Sequence, residues 1–288
     1  MEMLGAMLGR PATSYFDLEA RTCSVTVYSE RKPAAGLRKT VTAGLVEIET
    51  CGLNAGPRKL TIAKVRREDW AESWKRHFKP IEIGSALLIK PSWSKLKPRR
   101  NQAVVVLDPG LSFGTGQHPT TAFCLSELVR SAGGPPADLS PNSRAGRPRS
   151  AFLDIGTGSG ILAIAAAKLG YQPVQALDFD AKAVKIARVN ARMNGVERRI
   201  GLWCGDAAKL PLRPIQKFDL VCANLISNLL IAERRRIAAQ LRPAGTLVLA
   251  GILKQEFREV QTAFEKLGLK LMHNRADREW KSGAFRRC

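Results

Sequence analysis

Histidine is scarce, with three residues in 288, and none of the six cysteines (Cys23, Cys51, Cys124, Cys204, Cys222 and Cys288) stands in a CxxC pair. That spacing offers neither a zinc site nor a disulfide framework, and no metal centre is expected. Five of the cysteines lie in apolar segments, the usual setting of core-filling thiols. No apolar run approaches the roughly 18 residues that a membrane span needs, and the opening MEMLGAMLGR is too short for a secretory leader. A cytoplasmic protein is expected. Carboxylates are also in short supply: 25 Asp and Glu against 46 Lys and Arg leave a net charge of +21. Such a field attracts polyanions, and it fits a merely solvated arginine-rich surface equally well.

What is present is a glycine-rich turn between an apolar strand and an apolar helix. Phe152 to Asp178 reads FLDIGTGSGILAIAAAKLGYQPVQALD, a βαβ unit of the kind that holds a nucleotide-like cofactor. Gly156, Gly158 and Gly160 remove every second β-carbon, so the backbone can turn sharply and a ligand can press against it. Ser159 or Gly160 opens the helix and leaves its first N–H groups facing an anion. Asp178, about twenty residues on, falls at the end of the next strand, where an acid can accept two ribose hydroxyls. The glycines alone leave two cofactors open. Gly158, Gly160 and Ala163 fit the G-x-G-x-x-A of nicotinamide enzymes, and Asp154, Gly156, Gly158 and Gly160 fit the D-x-G-x-G-x-G of methyltransferases.

Ahead of this unit, Cys23–Tyr28 alternates as a strand, Leu37 to about Cys51 as a helix, and Leu60–Val65 as another strand. These make a small α+β domain over residues 1–65, ferredoxin-like and lacking a first strand, with substrate recognition as its expected role. Residues 66–103 connect, through a helix at Glu68–Phe78 and a strand at Ala86–Ile89; a further strand follows at Val104–Leu107. Residues 104–288 form the catalytic domain. Within it, Gly114, Thr115 and Gly116 make a hydroxyl-bearing loop, and Pro119 opens a helix to about Val129. His118, before a proline in a turn, reads as structural. Residues 131–150, rich in Pro, Gly, Ser and Arg, read as a flexible insertion. Beyond Asp178 come a helix at Ala181–Asn194, a strand at Ile200–Cys204, a strand from Phe218 to Asn224, a helix to Leu241, a strand at Thr246–Gly251, a helix at Lys254–Leu267 and a closing hairpin at Lys270–Arg287. Alternation of strand and helix predicts an α/β fold with a doubly wound, mainly parallel sheet.

The strand ends then offer Gly156, Asp178, Asp206 and Asn224. A glycine turn for a methionine moiety, an acid for ribose, an acid for the adenine amino group and a polar residue beside a reactive methyl are what an S-adenosylmethionine site needs. A tyrosine–lysine proton donor for nicotinamide chemistry is missing. Asn224-Leu225-Ile226-Ser227 also lacks the Pro-Pro-aromatic run of enzymes that methylate planar amino nitrogens, which favours an aliphatic amine as acceptor and Asn224 as the residue that orients it.

The blocks DPGLSFGTGQHPTT, LDIGTGSGILAIAAAKLG, LDFDAKAVKIARVNARMNGV, VCANLISNLL and REWKSGAFRR, with WAESWKRHFKPIEIG upstream, resemble the ribosomal protein methyltransferases of the PrmA type. That resemblance implies a Rossmann-like fold, S-adenosylmethionine as cofactor, and methylation of lysine side-chain or N-terminal amines of large-subunit ribosomal protein eleven by a monomer, in which contact with ribosomal RNA is open. It implies cofactor binding by Thr121, Gly156, Asp178 and Asn224, with Phe113–Gly116 (Phe113, Gly114, Thr115, Gly116) covering the ligand and the N-terminal domain gripping the protein. The head domain is short for the family, the 131–150 stretch long and the charge high. RNA methylation and a ribosome-associated binding factor are the alternative readings.

Overall fold

The computed structural model describes residues 12–17, 22–27, 29, 36–50, 60–62, 78–108, 118–132 and 150–287. The chain divides into two compact units, Met1–Ala71 and Glu72–Cys288. In the first, β1 (Ala12–Asp17) pairs antiparallel with β2 (Thr22–Val27), and α1 (Leu37–Thr50) follows. β1 was not expected. Its sequence ATSYFD has no sustained apolar alternation, and its place is fixed by the ladder to β2 rather than by pattern. Residues 60–62 are not in a strand; residues 63–65 of the strand expected there, and the helix expected at 68–78 up to residue 77, lie outside the described residues.

The second unit holds a three-stranded sheet of β3 (Ile81–Ile83), β4 (Leu87–Lys90) and β5 (Ala103–Val106), followed by α2 (Pro119–Ser131). β3, only three residues of IEI, is too short to announce itself in sequence. Then come β6 (Phe152–Ile155), α3 (Ile161–Lys168), β7 (Val174–Asp178), α4 (Ala181–Met193), β8 (Ile200–Cys204), β9 (Phe218–Asn224), α5 (Ser227–Ala232), α6 (Arg234–Ala239), β10 (Leu241–Leu253), α7 (Phe257–Glu265), β11 (Leu269–Asp277) and β12 (Trp280–Arg287). The one helix expected after Asn224 is two short ones, broken at Glu233, whose φ and ψ of −96° and 12° leave the helical region. There Arg234 donates to the Ile231 carbonyl, and Arg236 pairs with Glu233 and donates to the Leu210 carbonyl.

The large sheet runs in the order β11-β12-β10-β9-β6-β7-β8, parallel from β10 to β8 and antiparallel in the terminal hairpin. Side-chain alternation splits its core into two layers. Phe152, Leu220, Cys222 and Val248 face α2 and α3, while Leu153, Val221, Leu247 and Leu249 face α5 to α7. With both faces covered, the four residues of β6 are all buried and read as a continuous apolar run apart from Asp154. Helix α3 is buried from Ile161 to Ala167, so its alanines replace an amphipathic stripe. Cys124 and Cys222 are buried as expected of core thiols; Cys204 is exposed at the carboxyl end of β8, the sheet's edge strand.

The chain leaves β6 for β7 and β8 on one side, then returns to β9 on the other. The crossing point lies between β6 and β9, and a doubly wound sheet opens a ligand crevice at the carboxyl ends of such a pair.

Candidate active site at the sheet's carboxyl edge

The glycine turn is held by its own backbone. The N–H groups of Gly156 and Thr157 both donate to the Leu177 carbonyl at 2.9 Å, Gly160 N–H donates to Thr157 O at 2.8 Å, and the Asn190 amide donates to Ser159 O at 2.8 Å. Gly156, Gly158 and Gly160 have φ of 79°, 52° and 82°, a region where a side chain strains the backbone. A β-carbon on Gly160 would stand 3.0 Å from the Ala187 β-carbon, so that glycine lets α3 pack against α4. On Gly156 it would stand 2.5 Å from Leu225 Cδ2. The turn after β6 and the residue after Asn224 are thus in direct contact across the crossing point.

Asp178 is buried, and each of its carboxylate oxygens accepts one backbone N–H: Oδ2 from Gly158 at 2.8 Å and Oδ1 from Asp180 at 3.0 Å. A carboxylate has about four lone-pair sites, so two remain for ligand donors. Its neighbour Phe179 is 78% exposed. Sequence reasoning missed this residue, although an aromatic directly behind a strand-end acid was there to be noticed. Asp206 is half-buried and caps a short 3₁₀ turn, with Oδ1 accepting from Ala208 N–H at 2.9 Å. The Gly205 N–H donates to Asp178 O, which brings the ends of β7 and β8 together.

Asp154 lies under the turn with no exposure. Its Oδ2 accepts from the Thr157 hydroxyl at 2.7 Å, and its Oδ1 has no protein partner. Burial pushes its carboxyl up to about 7, opposed by the Thr157 hydrogen bond and reinforced by the Asp178 charge. Asp154 entered the sequence reading only as the first letter of a motif; its burial and free oxygen are tertiary facts.

On the other side, α2 begins at this edge and ends at the opposite one, where the Tyr171 hydroxyl, ahead of β7, donates to Leu128 O at 2.8 Å. Cys124 lies in the same core layer as Cys222, two residues before Asn224, and close enough to act on its thiol. Thr121, nearly one turn before Cys124, therefore lies toward the carboxyl edge; it is buried, and its Oγ1 has no protein partner. His118 packs on Trp280 with ring centroids 4.9 Å apart, and its Nδ1 meets Thr120 Oγ1 at 2.7 Å. Burial lowers its pKa, with Arg278 adding to the shift and Glu279 opposing it. Phe113, Gly114, Thr115 and Gly116 lie outside the described residues.

Asn224 ends β9 half-buried, with Leu225 N–H donating to Ala250 O at 3.1 Å. Next to it β10 carries a bulge at Gly251, φ 80°, where a β-carbon would stand 2.7 Å from Leu225 O and 3.0 Å from Asn224 Oδ1. A lone glycine in an apolar strand marks such a close approach, but sequence alone did not say what approaches. Ser227 is buried and donates to Glu256 Oε2 at 2.5 Å, while Ile226 beside it is 69% exposed.

The comparisons with known proteins agree with this geometry. Residues 13–287 match the family described as ribosomal protein L11 methyltransferase (PrmA). The chain belongs to that family. A ribosomal protein L11 methyltransferase from Geotalea daltonii is 41% identical over 225 residues, 76% of this chain and 68% of the relative. One from Caldanaerobacter subterraneus is 35% identical over 82% of this chain and 70% of the relative. The crystal structure of a ribosomal protein L11 methylase from Lactobacillus delbrueckii superposes with a TM-score of 0.60 at 28% identity, covering 73% of this chain and all of that one. The chain is a methyltransferase of the S-adenosylmethionine-dependent, Rossmann-like class. Its residues fit that cofactor: three glycines turn the backbone at positive φ after β6, the Asp178 carboxylate keeps acceptor sites beyond its two backbone bonds, and Thr121 Oγ1 is buried without a protein partner.

Proposed function

We propose that this PrmA-family methyltransferase transfers methyl groups to aliphatic amines, lysine side chains or the N-terminus, of large-subunit ribosomal protein L11 in the cytoplasm. The observation that supports the reading is the contact of Gly156 with Leu225, which brings the glycine turn beside the residue that follows Asn224. Asp178 takes the ribose hydroxyls, Phe179 offers a flat face to the adenine ring, Asp206 meets the adenine amino group, and Thr121, Gly156, Gly158 and Gly160 hold the methionine end. The loop Phe113–Gly116 covers the ligand, and the N-terminal unit grips the protein. Bound S-adenosylmethionine supplies an electrophilic methyl group on a sulfonium.

The chain's own task is to present an uncharged nitrogen in line. A lysine with an unperturbed pKa near 10.4 is neutral about 4 times in 10,000 at pH 7, a cost of about 4.6 kcal/mol before any barrier. Partial desolvation of the ammonium beside the apolar Leu225 and the positive sulfonium lowers that cost. Asn224 Oδ1 and the Leu225 carbonyl, brought close by the Gly251 bulge, are acceptors that can hold the remaining N–H groups and fix the lone pair's direction. No side chain is needed as a dedicated base, since the proton leaves to water before attack.

The net charge favours RNA methylation as a second reading, and Ser227 counts against it. The position where base methyltransferases place a stacking aromatic is here a buried serine tied to Glu256, with no flat surface for a nucleobase. Tritiated methyl donor given to free L11 and to purified large subunits decides: label in L11 is expected, and label in RNA alone would overturn the proposal.

A further inference from the structure

The cofactor edge does not account for the cations that run along the outward face of α4 to the opposite edge of the sheet. The outward face of α4 exposes Lys185, Arg188 and Arg192, and the turn Glu197–Arg199 adds Arg198 and Arg199, also exposed. Lys168 closes α3 at the same corner, near enough to Arg199 for its pKa to be lowered, after burial, by that charge. The carboxylate among them, Glu197, is gripped by Arg192 through two bonds of 2.9 Å and also feels Arg188 and Arg198. Helix dipoles explain cations in the last turns, which covers Lys168 and Arg192. Lys185, Arg188, Arg198 and Arg199 are left, mutually repelling and without a matching anion among the described residues.

We propose that this corner, formed by the outward face of α4, the end of α3 and the 198–199 turn, binds the phosphate backbone of RNA. Arginine supplies most of the charge, and its planar fork suits phosphate oxygens better than a lysine point charge does. A linear polyanion can span an exposed helix face and the adjoining turn, and counterion release drives its binding. A lipid surface fits less well, since the apolar side chains exposed on this face are only Val189 and Met193. Arg198 and Arg199 lie at the amino end of β8, whereas Arg188 and Lys185 lie further along α4 toward its start at the carboxyl ends. Their exposed face is opposite the buried Ala183, Ala187 and Ala191, the second of which packs on Gly160, so RNA laid along it stays outside the glycine turn. A second basic hollow, lined by Arg234, Arg258 and Lys266, is a weaker candidate: it gathers three cations rather than four and Glu259 shares it.

Fluorescence anisotropy of a labelled single-stranded RNA of about 20 nucleotides, titrated at several KCl concentrations, tests the assignment. Arg188→Glu/Arg198→Glu/Arg199→Glu is expected to weaken binding at least about tenfold at low salt and to flatten the log–log salt slope by about 2, near 0.7 for each phosphate no longer neutralised. S-adenosylmethionine affinity, measured on the same protein, is expected to be unchanged. The milder Arg198→Gln, expected to weaken binding about threefold, keeps the test informative if the triple variant folds poorly. Arg234→Glu/Arg258→Glu/Lys266→Glu makes the same change in net charge elsewhere and is expected to weaken it by less than about threefold. Equal effects from the two triple variants, no RNA binding by the unmodified protein, or loss of binding to phosphatidylglycerol vesicles with RNA binding intact would each overturn the proposal.

Discussion

The crevice has two sides, and they are built differently. On the β6–β7–β8 side the shape is carried by main chain: three glycines at positive φ, two N–H groups shared by the Leu177 carbonyl, and Asp178 fastened to the glycine turn by Gly158 N–H. On the β9–β10–β12 side it is carried by packing: Leu225 against Gly156, Gly251 beneath Leu225 and Asn224, Ser227 drawn to Glu256, and Trp280 against His118. In the proposed assignment the cofactor, common to many enzymes, is met by backbone groups that hardly depend on side-chain identity. In the same assignment the acceptor, particular to one family, is met by side chains and a bulge, which can be re-formed without disturbing the other side. The contrast predicts that substitutions on the first side act on cofactor affinity or stability, and those on the second on turnover.

The largest effect is expected at Asp154. An unfolded aspartate titrates near 3.9 and the folded one at about 7. Because the folded state holds its proton longer, this group's contribution is fully present below pH 4 and is lost as pH rises through 7, to a total of up to about 4 kcal/mol. Asp154→Asn, which keeps an acceptor for Thr157 and carries no charge, should therefore stabilise the cofactor-free protein relative to wild type far more at pH 8 than at pH 5. Urea denaturation at the two pH values measures it, and an equal offset at both would mean that Asp154 does not titrate in this range. Next comes Asp178→Ala, which removes the acceptors assigned to two ribose hydroxyls, at about 1.5–3 kcal/mol for each charged hydrogen bond. S-adenosylmethionine affinity by calorimetry should fall at least about 100-fold; unchanged affinity would remove Asp178 from the site.

How much of this could be read in advance follows the same division. Gly156, Gly158, Gly160 and Asp178 were legible because main-chain demands are local: a positive φ asks for glycine, and a strand end supplies an acid. The parallel sheet was legible because β6 and β9, covered on both faces, are nearly continuous apolar runs. The place of Asn224 at a strand end could be read in advance, but the contacts of Leu225, Gly251 and Ser227 could not, because they exist only once β9 and β10 lie side by side. The free oxygens of Thr121 and Asp154 are likewise set by burial from other segments. β1 and β3 were missed for a related reason, being short and held by partners rather than by their own periodicity.

Gly251→Ala asks whether the acceptor side is separable. Alanine at φ 80° is strained, and its β-carbon would press on the Leu225 carbonyl and Asn224 Oδ1. Displacing both acceptors by a few tenths of an ångström should lower kcat by about tenfold through poorer alignment, while S-adenosylmethionine affinity changes by less than about threefold. Parallel losses in both would show that the two sides move as one.

The smallest effect is expected at Ser227. Its bond to Glu256 joins the segment after Asn224 to the start of α7, and Ile226 stands exposed between. Removing the hydroxyl leaves a partly buried carboxylate short of one donor, which costs about 1 kcal/mol of local stability and loosens the segment without touching the glycine turn. Ser227→Ala should raise KM for the protein acceptor about threefold, leave S-adenosylmethionine affinity as it is, and be largely rescued by Ser227→Thr, which restores the hydroxyl. A change in cofactor affinity without one in acceptor KM would reverse the assignment of the two sides, because the route from Ser227 to the cofactor turn runs through Leu225 and the face it presents to Gly156.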